Sequence, residues 1–126
     1  MSSSTGIVID RGVRLLRAGL CLGALGDLLL GSIFVIKPQV LPLTPAPPFY
    51  SALVGVLLVT LAAIAINAAY APHGNRRTIR WLALGHLLVG GVAFIFAEPQ
   101  GLHLTLAVVE WLLATMIYLG LKMARL

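Results

Sequence analysis

The chain has 126 residues, a mean hydropathy of +1.00, 60% hydrophobic residues and only 10% charged ones, a composition that excludes an ordinary soluble domain and fits a single domain. Its formal charge of +5 comes from 9 Lys+Arg against 4 Asp+Glu. The basic residues gather at the ends of apolar runs rather than along one face, which excludes a phosphate-tracking nucleic-acid surface.

A hydrocarbon core takes about 20 apolar residues per crossing helix, and four such runs follow one another along the chain. The first covers about 13–36, approached by Arg11, Arg14 and Arg17. The Ser-rich stretch 1–6 before it is expected to be loosely ordered. The run is too long for the apolar part of a signal peptide and no small-x-small cleavage site closely follows it, so it reads as a span. Gly19, Gly23, Asp27 and Gly31 recur at every fourth position in it. Such a stripe of small residues lets helix backbones approach closely, and it turns Asp27 into the bundle. The 1 cysteine, Cys21, allows no intrachain disulfide and no thiolate metal site, and reads as a small packing residue. Lys37-Pro38 and then Pro42, Pro45, Pro47 and Pro48 close the run, because proline cannot continue a helix and disfavours one in the residue before it.

The second run covers about 49–71, with Thr60 and Asn67 on one face, and Pro72-His73-Gly74-Asn75 breaks it. The third covers about 78–97, where His86, Gly90 and Ala93 share a face, and Pro99-Gln100-Gly101 ends it. The fourth covers about 102–121, with Ala107, Glu110 and Ala114 on one face. Short connections make consecutive helices antiparallel neighbours, so the expected fold is all-α: an integral-membrane, four-helix antiparallel bundle forming one domain. Arg11, Arg14, Arg17, Arg76, Arg77, Arg80, Lys122 and Arg125 fall on one side and only Lys37 on the other. Basic residues favour the cytoplasmic side, so both termini are expected there, in a multi-pass protein of the cell (inner) membrane. Tyr70, Trp81 and Tyr118 then belong to the inner interface, and Phe49 and Tyr50 to the outer one.

Ionisable groups inside the hydrocarbon region are costly and point to function. At about 1.5 Å per residue, Asp27 lies about 13 Å from Ile36, Glu110 about 12 Å from Leu102 and His86 about 15 Å from Phe96. Thr60 falls near the same level, so each helix contributes one polar residue to a layer near the midplane. First and fourth helices of an up-and-down bundle are usually adjacent, which brings Asp27 and Glu110 within reach of each other. Two carboxyl groups in an apolar site do not both ionise cheaply. One is therefore expected to act as hydrogen-bond donor or general acid, with His86 as proton acceptor.

A purely structural reading stands beside this one. Asp27 pins helix register by bonding to His86 or Thr60, Glu110 does the same through Trp111 or a backbone carbonyl, and Thr60 satisfies itself on the preceding turn. Their shared depth on separate helices favours function for Asp27, His86 and Glu110 as a set. Thr60, Asn67 and Trp111 are the candidate ligand-binding neighbours. Glu98 and His103 bracket the outward turn and read as solvated interfacial residues ahead of a pocket rim or weak metal site. No metal site and no cofactor is expected, since the sequence has no H-E-x-x-H, Cys/His ladder, phosphate loop or nucleophile elbow.

Arg14, Arg17, Gly19, Gly23 and Gly26 ahead of and within the first run, the Lys37-Pro38 stop, Gly55, the basic second connection and Glu110 together resemble the DoxX-like group of small four-helix membrane proteins, over nearly the whole chain. The resemblance implies a four-helix bundle, and for some members a role as accessory subunit of a quinone-linked oxidoreductase. Intramembrane Asp, Glu and His are also similar to the equipment of sterol-isomerase-like membrane proteins, although this chain has one helix fewer and no residue role carries over. The leading expectation is a bundle that binds a lipophilic small molecule such as a quinone, terpenoid or sterol-like compound. If it is an enzyme, the fitting chemistry is acid/base isomerisation, cyclisation or epoxide opening. The alternatives are an accessory or structural subunit of a membrane complex, a homo-oligomer included, and a proton or small-ion path.

Overall fold

The computed structural model describes residues 2–37, 48–97 and 101–126. It consists of four α-helices: α1 (Ser2–Ile36), α2 (Pro48–Tyr70), α3 (Arg76–Ile95) and α4 (Leu102–Met123). Each is long and apolar enough to cross a membrane.

The sequence breaks fall where expected, with one difference. Helix α1 begins at Ser2 rather than near residue 13, so the amino-terminal stretch is helical and α1 is about 50 Å long. Hydropathy set the expected start, but nothing between Ser2 and Gly12 stops a helix. The Asp10 carboxylate accepts a 2.7 Å bond from Arg14 one turn on, an i,i+4 pair that supports helix locally. Gly12 is buried against the backbone of Met123 and Ala124 at the end of α4, so this part of α1 is packed and not a free extension.

The termini show how short connections suffice. The last carbonyls of α2 lack helical partners, and Arg17 Nε donates to Ala69 O at 3.1 Å, placing a cation at the negative end of that helix. Asn75 does not cap α3 with its side chain. It reaches back instead, Nδ2 donating to Ala71 O at 2.8 Å, while its backbone N–H bonds to Pro72 O at 3.2 Å. Helix α4 closes with Arg125 at φ 55, its N–H on Lys122 O and the Leu126 N–H on Leu121 O. That is a Schellman ending with arginine in the left-handed position usually held by glycine.

Helix α1 packs against both α2 and α4, α3 packs against α4, and α2 and α3 barely touch. The order across the molecule is therefore α2, α1, α4, α3, open on the side between α2 and α3. Small residues make the close contacts. A Cβ on Gly31 would stand 2.7 Å from Gly55 O, and one on Gly55 would stand 2.7 Å from Gly31 O, a reciprocal approach of α1 and α2 backbones. Gly120 does the same for α4, where a Cβ would lie 2.6 Å from Leu16 N. The buried core joins Leu16, Leu20 and Ala24 of α1 to Ala62, Ala65, Ala68 and Ala69 of α2, Ile79 of α3, and Ile117 and Leu121 of α4. Cys21 is exposed and not a packing residue.

Candidate acid-base site

The faces that carry His86 and Glu110 are the faces that pack. His86, Gly90 and Ala93 are buried on α3, and Ala107, Glu110 and Ala114 are buried on α4. Small residues one turn either side let the two helices close on each other. His86 and Glu110, each 9% exposed, meet between them, with His86 Nδ1 2.6 Å from Glu110 Oε2. The strength of such a bond between imidazole and carboxyl rises when water is excluded.

The other imidazole nitrogen looks across to α1. A Cβ placed on Gly23 would lie 2.9 Å from His86 Nε2 and 3.1 Å from its Cε1. Only a glycine at this point leaves space for the ring, so the α1 stripe receives a side chain from α3 in addition to the α4 backbone. Asp27 lies one turn beyond Gly23. It is half-buried and close enough to His86 and Glu110 to interact electrostatically with both. Among the described residues it makes no direct hydrogen bond to either. Glu110 thus bonds to His86 and not to Asp27, while Asp27 stands near both.

Trp111 supports this arrangement from the next turn. Its Nε1–H donates to Leu87 O at 3.3 Å, and its ring lies 5.4 Å from that of Phe94. Gly90 provides the notch: a Cβ there would stand 2.5 Å from Trp111 Cδ1 and Nε1. The indole therefore locks α3 against α4 beside the bridge instead of bonding Glu110.

The remaining candidates lie apart. Thr60 is exposed on α2 and donates its hydroxyl proton to Val56 O at 2.9 Å, the self-satisfied arrangement open to any helical threonine. Asn67 is exposed on the same helix. Neither joins the layer, because α2 packs on α1 through its alanines and hardly meets α3. His103 is half-buried at the start of α4, and Glu98 lies outside the described residues. Among the described residues no group of three His, Cys, Asp or Glu side chains is placed to hold a metal ion. What the sequence did not single out is Gly23 as the seat of the imidazole; its place one turn before Asp27 in the small-residue stripe was the available signal.

Chemically, a carboxylate on Nδ1 fixes the imidazole and leaves Nε2 as the basic nitrogen, the division of labour by which a buried acid orients a catalytic histidine. That nitrogen faces α1 on the side where Asp27 stands. The chain matches no protein-family model, no curated protein and no solved structure.

Proposed function

We propose that this chain is a multi-pass membrane protein, an antiparallel four-helix bundle with both termini in the cytoplasm, that holds a lipophilic molecule against Asp27, His86 and Glu110. Several features support the membrane setting. Large apolar side chains such as Leu29, Leu57, Leu88 and Leu112 are exposed along all four helices, as expected where lipid covers them. Contacts run in opposite sequence order, Gly12 on Met123 but Gly23 on Leu113, and Arg17 on Ala69 but Gly31 on Gly55, which favours antiparallel neighbours. Tyr70, Trp81 and Tyr118, exposed by 86%, 70% and 62%, sit at the helix ends next to the arginine-rich connection and the carboxyl terminus. Amphipathic rings prefer the headgroup level, and the lysine and arginine bias puts that level on the cytoplasmic side.

The single observation that carries the functional reading is the buried 2.6 Å bridge between His86 Nδ1 and Glu110 Oε2, with Nε2 turned toward the Asp27 side of α1. A lipophilic ligand enters from the membrane between α2 and α3, where the bundle is open. Nε2 accepts a proton from one ligand atom, Glu110 holds the imidazolium that results, and the Asp27 carboxyl donates a proton to another ligand atom. Return of the first proton from His86 to Asp27 restores the site, so the net change is an isomerisation or ring closure without an external oxidant. The DoxX-like resemblance leaves the ligand open.

The test is extraction and mass spectrometry of the purified protein. A stoichiometric lipophilic molecule is expected in the unaltered chain and is expected to be lost in Asp27→Asn and Glu110→Gln, with helix content unchanged. An unaltered chain without such a molecule, or variants that keep it, refutes the reading.

One observation favours a second reading, that of an accessory subunit. Thr60 and Asn67 lie on an exposed face of α2, where an amide in contact with lipid is costly. Gly12, Gly19, Gly23 and Gly31 of α1, by contrast, are used inside the chain. Under this reading a partner protein co-purifies and Asn67→Leu releases it, while Asp27→Asn does not.

A further inference from the structure

On the side of the molecule where α3 and α4 meet, a groove of about 640 Å³ runs along the two helices, a volume within the range of about 300–1,000 Å³ common to ligand sites. Leu84, Leu87 and Leu119 make its walls, and Arg80 and Lys122 lie at one end. Thr115 also borders it, but its hydroxyl donates to Trp111 O at 2.7 Å and adds no free polar group to the floor. The two cations have no carboxylate side-chain partner among the described residues. Asp10 is bonded to Arg14 and Glu110 to His86, and neither lines the groove. From Arg80 to Leu87 the apolar wall extends about 10 Å.

An apolar trough of that length with paired cations at one end is complementary to an amphiphile with an anionic head. We infer that it seats one anionic phospholipid, its phosphate between Arg80 and Lys122 and an acyl chain along Leu84, Leu87 and Leu119. The inference rests on the membrane-spanning reading, which puts Arg80 and Lys122 at the cytoplasmic headgroup level where acidic lipids attract basic side chains. It is independent of any ligand at Asp27.

Native mass spectrometry of the full chain, released from micelles doped with equal phosphatidylglycerol and phosphatidylcholine of identical acyl chains, tests it. One phosphatidylglycerol is expected to remain bound, preferred over phosphatidylcholine by on the order of tenfold. The double substitution Arg80→Gln and Lys122→Gln is expected to abolish the preference. Leu84→Trp, which fills the groove and keeps both charges, is expected to lower retention as well, and covers the case in which the charge variant fails to fold. Arg76→Gln with Arg77→Gln, which removes equal charge outside the groove, should leave the preference intact. Equal retention of the two lipids overturns the proposal, as does a preference that survives the groove substitutions. Equal loss in the Arg76 and Arg77 variant, or displacement of the lipid by excess inorganic phosphate, overturns it too. None of these outcomes depends on whether a molecule is held at Asp27.

Discussion

At the scale of single residues, the His86–Glu110 bridge has the largest energetic consequences. Removing one partner leaves the other buried without its bond, a loss of about 3–5 kcal/mol, whereas replacing both by apolar groups of similar size restores much of it. His86→Leu and Glu110→Leu are therefore expected to destabilise the bundle strongly, and the double substitution to cost clearly less than their sum, when unfolding is followed in mixed micelles. Additive effects would mean that the two side chains do not interact. Trp111 gives a second expectation at this scale. Its indole fills the notch at Gly90, where a Cβ would come within 2.5 Å. Gly90→Ala should therefore displace the ring, alter the protein's tryptophan fluorescence and cost about 1–3 kcal/mol through overpacking.

At the scale of helices, the glycines divide by what faces them. Gly31 and Gly55 set α1 against α2 with each backbone carbonyl 2.7 Å from the other's missing Cβ, and a carbonyl inside a helix cannot move aside alone. Gly31→Ala or Gly55→Ala is expected to push the helices apart and lower stability by about 1–3 kcal/mol. Gly26→Ala and Gly85→Ala, where nothing lies within 4 Å, should be neutral or gain up to about 1 kcal/mol of helix propensity. Thermal unfolding of the four variants separates the pairs, and equal effects would contradict the packing described. The same elements show what the sequence made legible. Prolines and the Lys37-Pro38 stop marked the breaks, and small residues at helical spacing told which way His86 and Glu110 face. Asp27 followed the same rule less fully, ending half-buried. Thr60, placed by its depth, and Asn67, placed by sharing its face, lie off the His86 layer, because α2 is apolar all round and its packing face is carried by Ala62, Ala65 and Ala69. The start of α1 was hidden because the short apolar run Ile7-Val8-Ile9 is cut off from the main run by Asp10, Arg11 and Gly12, leaving only the Asp10–Arg14 pair as a local helix signal.

At the scale of the whole molecule, the order α2, α1, α4, α3 is a property of pairwise packing that no local pattern encodes, and it places His86 between Glu110 of α4 and Gly23 of α1. The lysine and arginine distribution adds a direction. With Cys21 replaced by serine, Asn75→Cys is expected to react with an impermeant maleimide from the cytoplasmic face only, and Lys37→Cys from the opposite face only; the reverse pattern would invert the topology. We propose above all that α1, α3 and α4 enclose one imidazole inside a bilayer, and ¹⁵N-histidine NMR of the intact chain in lipid bilayers measures this directly. The His86 signal, assigned by its loss in His86→Gln, is expected to be that of a hydrogen-bonded ring, shifted strongly by Glu110→Gln and weakly by Asp27→Asn. A His86 signal that ignores both substitutions would contradict it.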